Sequence, residues 1–113
     1  MVESSRKGEQ TMSKASSHHC NLNIWYYLPE GEWSKVSSLY ERMPGWVGFE
    51  NGIPYWFGKE DDDFFITASI EPSGLSFDAQ LDNSDWISWI TTFKTEATKI
   101  LGYDVGEPED GFE

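Results

Sequence analysis

The side chains best equipped for chemistry in this chain are carboxylates standing in a row. Glu60, Asp61, Asp62 and Asp63 follow Gly58-Lys59 without interruption, and Asp78 lies further on in an alternating stretch. Such a run could hold a cation or meet a basic surface. A calcium loop needs acids at alternate positions, a glycine in mid-loop and a terminal glutamate, and none of these is here. The run therefore reads as a solvated turn that displays negative charge. His18, His19 and Cys20 carry ligand atoms for a metal, but three adjacent residues do not easily converge on one tetrahedral site and no second ligand pair follows them. Neither a metal nor a cofactor is expected.

Catalysis fits poorly. Both histidines fall in a stretch that reads as a disordered tail, which leaves the folded part without its best general base. Cys20 has no orienting partner nearby in sequence, and the glycines are scattered singly through turns instead of forming a phosphate loop. A pair of carboxylates with Tyr55 and Trp56 as a sugar platform would suit a glycosidase, yet a small chain offers no evident cleft for one. The expectation is a binding protein and not an enzyme.

Aromatic residues supply the anchors such a protein needs. Trp25, Tyr27, Trp56 and Phe65 are candidates for partner contact, with Glu60, Asp61, Asp62, Asp63 and Asp78 as the acidic rim. The elements that must position them are legible from periodicity. Residues 64–70 and 75–81 alternate apolar and polar around Glu71-Pro72-Ser73-Gly74, which predicts a central hairpin. Asn51-Gly52 between residues 46–49 and 53–57 predicts a second. Pro54 predicts that its strand lies at an edge or turns that residue to a free side. Residues 21–28 predict a strand with Leu22, Ile24, Tyr26 and Leu28 on one face and Trp25 and Tyr27 on the other. Helical spacing covers residues 32–43, closed by Pro44-Gly45, and residues 86–101, preceded by cap candidates in Asp82-Asn83-Ser84-Asp85 and closed by Gly102.

The expected fold is α+β: an antiparallel sheet of about five strands, order β-α-β-β-β-β-α, with two helices on one face. Its open face would carry Trp25, Tyr27, Phe65 and Asp78 and serve as the binding surface. Residues 1–20 read as a disordered tail, with Met12 as a second candidate start. Residues 21–105 form one domain, and residues 106–113 an acidic tail with Tyr103 and Val105 tucked against the body.

Composition narrows the partner. The net charge is −12, and it deepens to about −13 over residues 21–113 because the first twenty residues hold Arg6, Lys7 and Lys14 against Glu3 and Glu9. That balance opposes nucleic acid and anionic membranes as ligands, since both are bound by Lys and Arg. A basic protein partner fits. One cysteine allows no internal disulfide, no apolar run approaches a membrane span, and the N-terminus has no apolar signal region, so a cytoplasmic setting is expected.

Residues 46–57, the acidic loop, and the closing run Leu101-Gly102-Tyr103-Asp104-Val105-Gly106-Glu107-Pro108 complete a make-up that resembles the bacterial immunity proteins of contact-dependent and polymorphic toxin systems. The resemblance is one of overall character and assigns no residue roles. It implies a partner that is a toxin domain with a basic cleft, capped by acidic and aromatic side chains. Two other readings compete with it: a carbohydrate or small-ligand module using exposed tryptophans, and an acidic mimic of nucleic acid that inhibits a DNA-binding protein.

Overall fold

The computed structural model describes residues 15–111. The expected disorder of residues 1–14, the start at Met12 and the last two residues of the acidic tail lie outside them. Five strands and two helices follow in the order β1 (Ser16–Leu22), α1 (Glu30–Arg42), β2 (Trp46–Glu50), β3 (Ile53–Trp56), β4 (Phe65–Glu71), β5 (Gly74–Leu81) and α2 (Asn83–Leu101). The strands form one sheet in the order β1-β5-β4-β3-β2, antiparallel throughout. The α+β architecture read from the periodicity is the one observed.

Turn chemistry sets the registers. Asn51 and Gly52 both have positive φ, 54° and 80°, which is the backbone a two-residue hairpin of matching twist requires. In the central hairpin Gly74 sits at φ 128°, and a Cβ there would run into the Leu22 carbonyl, so only glycine fits against β1. The long β5 then aligns Ile66, Ala68 and Ile70 of β4 with Ala79, Phe77 and Leu75, and these with His18, Cys20 and Leu22 of β1. This is the face that the helices cover, except at Ile70, which stays exposed at the end of β4.

Helix α1 brings Val36, Leu39 and Tyr40 to that face, and α2 brings Trp86, Trp89, Ile90, Phe93 and Ala97. The rings interlock: Phe77 meets Phe93 at 4.9 Å and Trp56 meets Trp89 at 5.0 Å, both edge to face. Asp82 caps α2 by accepting from the Ser84 amide at 3.0 Å, and Gly102 closes it in the left-handed region at φ 83°. Met43, held extended before Pro44, ends α1.

The bounds of the first strand are corrected. The first strand spans Ser16–Leu22, not residues 21–28, so Ser16–Cys20 belong to the sheet and not to a tail. Composition argued for disorder here, but pairing along all seven residues with β5 satisfies the backbone of this polar segment. Leu22 and Ile24 are buried as expected, but the chain leaves the sheet after Leu22, so the alternation breaks: Asn23 is buried as well and Tyr26 is exposed. β3 is interior, with β2 as the edge, so of the two placements open to Pro54 the second is found, a side free of the ladder. Pro54 is tolerated because the β3–β4 ladder extends only over Tyr55 and Trp56, while Thr67 Oγ1 donates to the Pro54 carbonyl at 3.0 Å.

The chain leaves the sheet at Asn23 because the C-terminal segment claims that residue. Fully buried, Asn23 donates from its amide to Gly106 O and from Nδ2 to Asp104 O, each at 3.0 Å. Its Oδ1 accepts from Gly106 N at 2.9 Å, and its carbonyl accepts from the Tyr103 hydroxyl at 2.8 Å. Gly106 is thus part of the domain, and Val105 is buried as expected. A short 3₁₀ turn, Pro108–Asp110, follows. Asn23→Ala strands a buried amide and a carbonyl and should cost about 2–3 kcal/mol in chemical denaturation, with residues 103–106 the first to lose amide-exchange protection.

Cys20 faces the core, where burial first and the Glu107 carboxylate second push its thiol up to about 12. The reactive thiolate is therefore absent at pH 8. Iodoacetamide at that pH should leave Cys20 unmodified in the native protein and label it after unfolding in urea, as mass spectrometry would show.

Candidate functional site

The residues singled out from sequence do not gather on the open face. Trp56 is fully buried, with its Nε1–H donated to Tyr40 O at 2.9 Å, because it pairs with Ile66 on the helix-covered side. Phe65 does point to the opposite side, yet it is buried too, lining a hollow shared with Glu60, Asp62 and Asp63 of the loop before it. Trp25 and Tyr27 lie in the connection between β1 and α1, stacked 6.3 Å apart and 8° from parallel, with Tyr26 edge-on to Tyr27. That connection follows Leu22, at the end of the sheet where Leu75 and Ile70 pair. The acidic loop enters at the other end, where Phe65 pairs with Gln80, so about 20 Å of strand separates the two groups.

Asp78 is on the open face as expected, but it is engaged. His19 Nδ1 stands 2.9 Å from Asp78 Oδ1, both side chains well exposed. Around this pair the β1–β5 face is a polar ladder: Ser76 Oγ donates to Asn21 Oδ1 at 2.7 Å, and Asn21 Nδ2 donates to Ser73 O at 2.6 Å. His18, next in the chain, turns to the opposite side, stacks on Trp86 at 5.3 Å and makes a 3.0 Å hydrogen bond through Nε2 with Leu81 O. Both histidines thus belong to the folded domain, contrary to the expectation, and strand alternation sends them to different faces. Among the described residues no group of three or more His, Cys, Asp and Glu side chains is arranged to hold a metal ion.

The residues that the geometry does bring together are at the acidic end. After Trp56 the chain turns sharply: Phe57 has φ 69°, a left-handed conformation rare for a bulky residue and costing about 1–3 kcal/mol. Its amide donates to Gly45 O at 2.7 Å, and its ring lies flat where a side chain on Gly45 would be, Gly45 itself having φ 84°. Two local features thus hold Phe57 with its ring 46% exposed. Asp62 then closes the loop, accepting from Lys59 N at 2.7 Å while its own amide donates to Lys59 O at 2.8 Å. Glu60, Asp61 and Asp63 remain exposed, and among the described residues none of them forms an ion pair. Lys59, the base nearest in sequence, pairs with Glu50 instead, at 3.2 Å.

Phe64, 44% exposed, is the ridge between two hollows. On one side is the acidic hollow of about 760 Å³ with Glu60, Asp62 and Asp63. On the other is an open groove of about 520 Å³ walled by Phe57, Phe64, Pro44, Leu81 and Trp89, with Asp85 as its charged residue. The aromatic anchors with an acidic rim exist, then, but Phe57 and Phe64 provide them. Sequence reasoning assigned Phe64 to the inner row and Phe57 to a strand end. The signal that could have exposed them is their position at the two ends of a charged loop, where a strand no longer covers its own termini.

The tryptophans are turned mostly inward. All six are buried or half-buried, and three indole N–H groups, those of Trp33, Trp56 and Trp89, donate to backbone carbonyls. Trp25, Trp33 and Trp46 keep part of their surface accessible, and Trp25 stacks on the exposed Tyr27. Comparisons with protein-family models, with curated proteins and with solved structures each return no match.

At the same end Asp82 accepts from both the hydroxyl and the amide of Ser84, which hold its carboxyl below the ordinary value of 3.8. A carboxyl depressed in the folded state stabilises it above that value and loses the effect as pH falls through the folded pKa. Asp82→Ala should therefore lower the melting temperature at pH 7, and the gap from the unsubstituted protein should shrink steadily below pH 3.8.

Proposed function

We propose that this protein acts by binding and not by catalysis, as an immunity protein that caps a basic surface of a cognate bacterial toxin domain in the cytoplasm. The observation that carries this reading is the continuity of the exposed Phe57 and Phe64 rings with the carboxylates of Glu60, Asp61 and Asp63 at one end of the sheet. Interface hot spots combine desolvated aromatic anchors with a polar rim, and both kinds of group stand together at this end. The Gly45 contact holds Phe57 and the Lys59–Asp62 turn holds the loop backbone, so part of the ordering cost of binding is already met. A net charge of −12 adds long-range steering toward a basic cleft.

The resemblance to immunity proteins supplies the class of partner, and the acidity disfavours nucleic acid in that role. Among the described residues no helix is long and apolar enough to cross a membrane.

An immunity protein should be encoded beside a larger toxin reading frame and should form a salt-sensitive 1:1 complex with the toxin's C-terminal domain. Reversing Glu60, Asp61 and Asp63 to lysine together should weaken that complex at least tenfold at about 50 mM salt, mainly through slower association, and flatten its salt dependence. Reversing Asp78, engaged with His19, should matter little. Unchanged association and unchanged growth protection in the triple variant would refute capping through this end.

A further inference from the structure

We infer that the groove beside Phe64 is a receptor for one arginine side chain of the basic partner, with Asp85 as its counter-charge. This rests on the capping reading and names the group that the site takes. The walls are aromatic and aliphatic: Phe57 and Phe64 are exposed on their rims, and Leu81 and Trp89 line the interior. Asp85 is the charged side chain of the lining, and among the described residues it has no ion-pair partner. Asp82, three residues earlier, is not a competitor, because its carboxylate is committed to Ser84.

Those walls and that charge select among side chains. A leucine or phenylalanine would satisfy the apolar surface but would partly desolvate the Asp85 carboxylate with only the N-terminal end of α2 to compensate it, an unfavourable exchange. A lysine would pair with Asp85 as a point charge but could not use the ring faces as a planar group does. A guanidinium does both: its alkyl stem can lie along Leu81 and Trp89, its plane can stack on a phenyl ring, and its fork of N–H donors can meet the carboxylate and the hydroxyl of Ser88, one turn further along α2. The acids beyond Phe64 add negative potential at the entrance, which favours a cation over a neutral guest.

The test uses the full chain and three capped tripeptides, Gly-Arg-Gly, Gly-citrulline-Gly and Gly-Leu-Gly, titrated at low ionic strength while the Trp89 indole N–H and the Ser88 and Thr92 amides are followed by NMR. The expected result is saturable shifts with the arginine peptide and at least threefold weaker binding of the other two. Asp85→Asn should weaken the arginine peptide about threefold, the scale of a solvent-exposed pair, and leave the citrulline peptide unaffected. Phe64→Ala should weaken all three. Equal binding of arginine and citrulline, tighter binding of leucine, indifference to Asp85→Asn, or no shifts at millimolar peptide would each overturn the assignment. Capture of the toxin domain with no peptide response would remove the arginine receptor and keep the capping reading. A peptide response without toxin capture would do the reverse.

Discussion

A buried indole must place its N–H, and in this protein that requirement ties the layers together. Trp56, at the end of the interior strand β3, donates to Tyr40 O in α1, and Trp89, on α2, donates to Pro44 O just beyond α1. Leaving either donor unpaired in the core would cost about 1–3 kcal/mol, so each bond fixes where the end of α1 sits as firmly as packing does. The rings then fill the space between: Tyr40, Trp56, Phe77, Trp89 and Phe93 form a continuous set of edge-to-face and stacked contacts. Aromatics that look from composition like leftover binding anchors are consumed as struts.

The position of the Phe57–Phe64 surface follows from that arrangement. Because Trp89 holds Pro44, Gly45 is delivered to the start of β2, and its missing side chain leaves the space that the Phe57 ring occupies. Phe57 accepts an unfavourable backbone conformation in return for the Gly45 hydrogen bond and ring contact. Strain that is held in this way at an exposed aromatic residue, next to carboxylates on a closed turn, is the local feature that sets this end of the molecule apart from the rest of the surface.

The polar face of β1 and β5 is self-satisfied by comparison. Across β1 and β5 the open face pairs Asp78 with His19 and threads Asn21 between Ser73 and Ser76, so its polar groups already have partners. The Trp25–Tyr27 stack is pinned from below, where Trp33 Nε1 donates to Trp25 O. A single small partner would have to span about 20 Å to touch both this stack and the acidic loop, so the two are separate surfaces.

Periodicity and turn residues determined the element order, the two hairpins, the faces of both helices and the Gly102 stop, because each of these depends on neighbours within a few residues. The acidic loop was equally plain, since charge needs no partner to be recognised. The long-range pairings were decided by tertiary structure alone. Ser16–Cys20 become strand through β5, Asn23 is drawn away by residues 103–106, and Trp56 and Phe65 are covered while Phe57 and Phe64 are not. The reason is physical: hydrogen bonding and burial for those residues come from segments as distant as eighty positions along the chain, and a local pattern carries no record of which distant segment arrives.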